Sequence, residues 1–145
     1  MAGSTGAIAE EWLKRVLAGY PEQTARILSQ ERDRFRNPVG YALKEGLPVL
    51  VEEIFGSMDR ERLVSALDEI VRIRAVQDLT PSQAVGFVFL LKPLVESGMH
   101  PRIDDLALLA FDLYTQCREQ LHEARVNEAK RRVFALERRA KGQEL

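Results

Sequence analysis

The sequence is poor in the residues that build disulfides and metal sites. It has one cysteine, Cys117, and two histidines in 145 residues. One cysteine cannot form an internal disulfide, and its low usage fits a reducing cytoplasm. Metal sites need two or three converging ligands, and neither His100 nor His122 has a companion at helical i, i+4 spacing. These absences predict no cofactor and disfavour a haem or metal enzyme.

Catalytic motifs and long apolar runs are also missing. The sequence contains no glycine-rich phosphate loop, no G-x-S-x-G and no recognisable serine–histidine spacing, so we expect a protein that is not an enzyme. Its longest uncharged run, residues 79–91, is shorter than the roughly 20 residues that cross a bilayer. The N-terminus lacks a basic start followed by an apolar run, so no secretory signal is predicted. We therefore expect a cytoplasmic chain with no membrane contact.

No strand-like alternation occurs, whereas apolar residues recur at helical spacing. The pattern predicts an all-α fold of about six helices. Asn37-Pro38, Asp59 and Thr80-Pro81 are start signals, each an N-cap residue at the head of a helix. A second helix is expected from about residue 21 to residue 36. Pro48 lies inside the third helix, where a kink or a break is expected.

Residues 80–91 form the most apolar segment of the chain. Thr80 and Gln83 make a capping box, and the residues that follow are apolar on every side of a helix. A helix of this kind has to be covered on every side. We therefore expect it to be the enclosed central helix of the bundle, with Gly86 allowing another backbone to approach closely.

The last helix, from about residue 101 to residue 140, would be roughly 60 Å long, longer than a domain of this size is wide. Its first apolar stripe includes Leu106, Cys117 and Ala124, and Cys117 is expected to be a buried hydrophobic residue. The stripe then moves to another face. We predict one domain over residues 1–145, with a core over about 8–124, a projecting basic helix over 125–141 and a tail over 142–145. The second stripe has heptad spacing and consists of Val126, Ala129, Val133, Leu136 and Ala140.

The projecting helix is basic. Residues 125–141 hold seven basic and two acidic side chains, a net charge of +5, and Arg125, Arg132 and Arg139 repeat at g positions beside the stripe. These arginines fit a solvated flank. They also permit a parallel coiled coil, in which Arg132 meets Glu137 favourably but Arg125 meets Lys130 unfavourably. Nucleic acid is the least favoured partner, because we expect no aromatic residues to interleave with the arginines.

Polar residues cluster where the fourth helix meets the apolar segment. Arg74 and Gln77 continue the stripe that carries Leu63, Leu67 and Ile70, so both need hydrogen-bond partners. One interpretation is a hydrogen-bonded helix junction, and the other is a pocket or a relay for a signal. The candidate residues are Arg74, Gln77, Asp78, Ser82 and Gln83.

Three stretches together resemble a known family. They are WLKRVLAGYPEQTARILSQERDRFRNP (residues 12–38), NPVGYALKEGLPVLVEEIFG (37–56) and RIRAVQDLTPSQAVGFVFLLK (72–92). The chain resembles the N-terminal domain of RsbR/RsbRD-type RsbT co-antagonists of bacterial stressosomes over about residues 10–130. The pattern R-A-V-Q-D-x-x-P-S-Q-A, residues 74–84, is its most specific part.

The resemblance implies a haem-free, globin-like helical bundle that is dimeric and acts as a sensory input domain, with a long last helix leading to a STAS output domain. No STAS segment follows in the sequence, so antagonism of a kinase such as RsbT is not carried over. We expect a non-enzymatic sensory or protein-interaction module that signals through a homodimer, parallel or antiparallel, or through its long helix. A STAS-domain or kinase-type protein is the expected partner. The alternative is a structural adaptor that senses no ligand.

Overall fold

A computed structural model describes residues 4–77 and 79–143. These residues form six α-helices and two 3₁₀ segments, with no strand among them, which confirms the predicted all-α class with its long last helix. The globin-like topology stays a prediction. No described helix is both long and apolar enough to cross a membrane. The elements are α1 Thr5–Leu17, α2 Glu22–Gln30, α3 Pro38–Phe55, α4 Arg60–Val76, α5 Pro81–Val85, a 3₁₀ helix Gly86–Leu94, a 3₁₀ turn Ser97–Met99 and α6 His100–Gln143.

The three predicted start signals all begin helices. The Asn37 Oδ1 atom accepts from Gly40 N at 2.9 Å, and the Asp59 carboxylate accepts from Glu61 N at 3.0 Å. The capping box is complete, because Gln83 Oε1 accepts from Thr80 N while the Thr80 hydroxyl accepts from Gln83 N. Local side-chain chemistry therefore sets where α3, α4 and α5 begin.

The second helix is shorter than predicted, because it ends at Gln30 instead of continuing to Arg36. The Asp33 carboxylate accepts from Phe35 N at 2.9 Å, a local bond that competes with helical bonding. The buried Asn37 amide donates to the carbonyls of Leu28 and Glu31, each at 2.9 Å. These bonds satisfy the last carbonyls of α2 and turn the chain into α3.

Helix α3 runs without a break through Pro48. Proline removes one backbone hydrogen bond, but α3 packs against α1 and α4 and is held by burial on both sides of that position. Leu43, Leu47, Leu50 and Ile54 are almost completely buried along this helix. Tertiary packing therefore keeps α3 from breaking at Pro48.

The prediction of an apolar segment enclosed on every side is wrong. Its second part winds as a 3₁₀ helix, which buries Phe87, Val88 and Leu91 on one side. On the other side Phe89 is 46% exposed and Leu90 is 38% exposed. Gly86 also faces open space, so no backbone approaches it as predicted. The segment lies against α1 and α6 and leaves an apolar face uncovered.

Helix α6 contains 44 residues and extends about 65 Å. Its first half packs against α4, α5 and the 3₁₀ helix, with Ile103, Leu106, Ala110 and Cys117 buried. Leu121 is only partly covered, and Ala124, predicted on the core face, is exposed because no described element packs beyond that turn. From there to residue 142 nearly every side chain is exposed.

Candidate functional site

The Arg74 guanidinium joins three parts of the chain. Arg74 Nε donates to the Ala84 carbonyl oxygen at 2.8 Å, and a terminal nitrogen donates to the Gln83 carbonyl oxygen at 2.8 Å. The other terminal nitrogen donates to the Tyr20 hydroxyl at 2.7 Å. The side chain is buried, so α4 is tied both to α5 and to Tyr20, three residues after the end of α1.

Aromatic rings enclose the same guanidinium. Its central carbon lies 5.7 Å from the Tyr20 ring centroid and 5.3 Å from the Phe87 ring centroid, within the range of cation–π attraction. Phe87 also stacks on Trp12, with centroids 6.2 Å apart. The Trp12 indole Nε1 donates to the Phe87 carbonyl oxygen at 2.8 Å. We call Trp12, Tyr20, Arg74 and Phe87 the junction cluster.

Burial lowers the pKa of the Arg74 guanidinium below its ordinary value, although the neighbouring Tyr20 hydroxyl opposes the shift. Arginine nevertheless remains protonated at neutral pH. In the described part of the chain, no buried side-chain nitrogen or oxygen atom lacks a hydrogen-bond partner. The junction cluster therefore holds the positively charged Arg74 guanidinium between two helices, and groups of the protein itself supply all of its hydrogen-bond partners.

The predicted junction residues fall into three groups. Arg74 is the centre of the cluster, and Gln77 Oε1 accepts from the Tyr20 hydroxyl at 3.1 Å. Ser82 and Gln83 lie in the exposed first turn of α5, where the Gln83 side chain serves the capping box. Asp78 lies outside the described residues.

Sequence reasoning missed Trp12, Tyr20 and Phe87 as members of this site. Trp12 lies one turn from Ile8 and Val16 on the buried face of α1, a spacing that marks it as a core residue. Nothing in that spacing indicates contact with residue 87.

The remaining chemical groups are placed separately. His100 Nε2 lies 3.0 Å from the Lys92 carbonyl oxygen, and His122 is exposed. Cys117 is buried, and this burial raises the pKa of its thiol while the nearby Arg72 charge opposes the shift. Among residues 4–77 and 79–143, no three His, Cys, Asp or Glu side chains converge as metal ligands.

A family model described as the RsbT co-antagonist protein rsbRD N-terminal domain matches residues 6–101, about two thirds of the chain. The chain belongs to the RsbRD N-terminal domain family. No curated protein and no solved structure matches it. RsbRD N-terminal domains are regulatory parts of stressosome-related proteins, and the matched span contains the whole junction cluster.

The distal half of α6 lies outside the matched RsbRD span. Here Val133 is 55% exposed and Leu136 is 62% exposed, and the only ion pair among the described distal residues joins Arg132 to Glu128 on the surface. Phe134 lies among the arginines, with the Arg138 guanidinium 4.7 Å from its ring centroid. The expectation of arginines without aromatic neighbours overlooked this single ring. The predicted interaction residues thus share one exposed helix.

Proposed function

We propose that this chain is a cytoplasmic, non-enzymatic sensory and protein-interaction module of the RsbRD N-terminal type. In this proposal it forms a homodimer, and it transmits a signal to a STAS-domain or kinase-type partner through its long last helix. Family membership supports the regulatory class. The sensing, the dimer and the partner are the parts that experiments have to test.

The single observation that carries this proposal is the continuity of α6. Its first half is packed in the core against α4 and the 3₁₀ helix, and its second half is an exposed rod. A rigid helix transmits any shift or rotation of its packed end to its free end. A change of packing in the core would therefore alter the position or rotation of residues 126–140.

The 3₁₀ helix Gly86–Leu94 supplies the element that could change. It is nine residues long, whereas 3₁₀ runs longer than three or four residues are uncommon and often mark a hinge. It packs against α6 on one side and is fixed by Trp12 and Arg74 near Phe87. A ligand or partner that favours another packing of this segment would shift the population between two positions of α6.

An exposed apolar patch supports the homodimer. Leu108 is 65% exposed and Phe111 is 48% exposed, on a face of α6 turned away from the core. Lys92 links this face to the uncovered side of the 3₁₀ helix: its Nζ lies 5.1 Å from the Phe89 centroid and 2.7 Å from Asp104 Oδ1, one turn before Leu108. We call Phe89, Leu90, Leu108 and Phe111 the globular patch. Large apolar side chains exposed on neighbouring elements are typical of a protein interface.

Light scattering after size exclusion tests the homodimer. We expect the unmodified chain to have the mass of two copies and Phe111→Glu to have the mass of one. The matched control is Phe35→Glu, because Phe35 is exposed in the loop between α2 and α3, outside the patch. A monomeric unmodified chain would contradict the dimer.

Spin labels test the transmission. In a Cys117→Ser background, one label replaces exposed Glu45 on α3 and the other replaces Ala140 on the rod. We expect Phe87→Leu to shift or broaden the distance distribution, since Phe87 is buried against Trp12. Phe35→Leu, in the exposed loop outside the globular patch, should leave it unchanged. If both variants gave the same distance distribution as the labelled parent chain, the proposed coupling between core and rod would be contradicted.

A structural adaptor is the second candidate. The closed junction cluster favours it, because Arg74 has protein partners for all three of its donating nitrogens. An adaptor needs the exposed rod but no mobile core. An unchanged distance between the two spin labels would support the structural adaptor.

A further inference from the structure

We propose that the exposed stripe of the distal α6 rod binds one amphipathic helix of a different protein, whose apolar face is flanked by acidic residues. The inference rests on the proposed interaction function and names the chemistry of the partner. We call Val126, Ala129, Val133, Leu136 and Ala140 the distal seam. Its members are exposed, apart from the partly covered Val126.

The width of the distal seam indicates one helical partner. At 3.6 residues per turn its five residues lie within an arc of about 80°. A helix that covers a broad core or enters a membrane needs an apolar arc of at least about 100°. A narrow stripe repeating at a and d positions is the geometry of a two-helix seam.

The charges beside the distal seam select the partner. Arg125, Arg132 and Arg139 line one side at g positions, and Lys130 and Glu137 lie on the other. The net charge of +5 over residues 125–141 leaves −6 for the rest of the chain. Residues at e and g positions decide which helices pair, so four of these five flanking positions favour acidic side chains opposite them.

A second copy fits the distal seam poorly. In a parallel pair, Arg125 of each copy would face Lys130 of the other, and only Arg132 and Glu137 would attract. Polar Thr115, Arg118 and His122 separate the distal seam from the globular patch on the same side of α6. Self-association through the globular patch leaves the seam without an apolar partner.

Nucleic acid and membranes fit less well than an acidic helix. Neither requires a narrow apolar stripe with heptad spacing. Phe134, the one aromatic ring of the rod, lies about 120° from the centre of the seam, beside Arg138. A membrane-binding helix would place its aromatic residue on its apolar face.

Fluorescence anisotropy with two labelled peptides tests the proposal on the full chain. The first is a three-heptad peptide with isoleucine and leucine at a and d and glutamate at e and g, and its twin has lysine in place of glutamate. We expect the acidic peptide to bind about tenfold or more tightly than the twin, and its affinity to fall as salt rises from about 50 to 300 mM.

Matched variants locate the binding. Leu136→Glu in the seam should weaken binding of the acidic peptide about tenfold, whereas Ala135→Glu, with the same charge change about 140° from the seam centre, should weaken it much less. The double variant Arg125→Gln/Arg132→Gln should likewise weaken binding more than Arg131→Gln/Arg138→Gln. Circular dichroism checks that every variant keeps its helix content.

Three outcomes would overturn the proposal. They are equal binding of the two peptides, equal effects of seam and off-seam variants, or loss of the homodimer on Leu136→Glu. Anionic vesicles or duplex DNA are tested in the same way. If either binds equally well to the seam variants and is not displaced by the acidic peptide, the partner belongs to a different class. The spin-label distances and the mass of Phe111→Glu do not depend on peptide binding. Failure of this proposal can therefore be distinguished from failure of the proposed function.

Discussion

Trp12 and Phe87 are 75 positions apart, yet the Trp12 indole Nε1 donates to the Phe87 carbonyl oxygen at 2.8 Å and their rings lie nearly parallel, at 19°. One side chain of the first helix thus holds both the backbone and the ring of the 3₁₀ helix. This pair closes the core between the start of the chain and the segment before α6.

Replacing Trp12 tests the hydrogen bond within that pair. Trp12→Phe keeps an aromatic ring but removes the indole donor to the buried Phe87 carbonyl oxygen and leaves a slightly larger space. We expect a loss of about 2–4 kcal/mol in the free energy of unfolding, measured by urea denaturation. Phe35→Leu, an aromatic change in the exposed loop between α2 and α3, should lower it by less than about 0.5 kcal/mol. Equal losses in the two variants would contradict the assignment.

Arg74 and Arg72 form a matched pair on α4. Arg74→Lys replaces the planar fork that reaches two carbonyl oxygens and the Tyr20 hydroxyl, so we expect a loss of about 2–3 kcal/mol in unfolding free energy. Arg72 makes an exposed i, i+4 pair with Asp68, and Arg72→Lys should change stability by less than about 0.5 kcal/mol. A thermal melt of both variants decides the matter, and a tolerated Arg74→Lys would show that a single ammonium group suffices.

Leu106 and Leu136 test the division of α6 into a packed half and a free half. Leu106 is completely buried, so Leu106→Ala should lower the unfolding free energy by about 2–5 kcal/mol. Leu136→Ala should lower it by less than about 0.5 kcal/mol, since that side chain is mostly in solvent. Chemical denaturation of the two variants at several protein concentrations gives the comparison. A large, concentration-dependent loss in Leu136→Ala would mean that the homodimer already covers the distal seam.

Cys117 gives a prediction in alkaline solution. Burial raises the pKa of its thiol, so the folded chain keeps the proton at a pH where the unfolded chain has lost it. The stabilisation from this group is complete below the unfolded pKa and is lost as the pH rises through the folded pKa, with a slope of at most about 1.4 kcal/mol per pH unit. Urea unfolding between about pH 8 and pH 10.5 should show this loss in the unmodified chain and a smaller one in Cys117→Ala. Parallel curves for the two would contradict it.

Local chemistry made much of the architecture predictable. Asn37, Asp59 and Thr80 each cap the helix that follows, and caps act over a few residues that are adjacent in sequence. The early end of α2 was missed because it depends on the Asp33 side chain and on bonds from the Asn37 side chain to carbonyls six and nine residues earlier, which apolar periodicity does not show.

The candidate site was less predictable, for the same physical reason. Arg74 and Gln77 were found from their position on an apolar stripe, but their common partner Tyr20 lies more than 50 residues earlier. The apolar run of residues 84–91 predicted burial on all sides, and only the tertiary arrangement shows that Phe89 and Leu90 have no covering element. A periodic pattern states which faces are apolar and not which of them find a partner.

The winding of the segment Gly86–Leu94 has a mechanical consequence. A 3₁₀ helix rises about 2.0 Å per residue with three residues per turn, against about 1.5 Å and 3.6 residues per turn in an α-helix. Rewinding its nine residues would shorten the segment by about 4.5 Å and rotate its far end by about half a turn. Since α6 begins six residues later, at His100, such a rewinding would displace and rotate the N-terminal end of the long last helix.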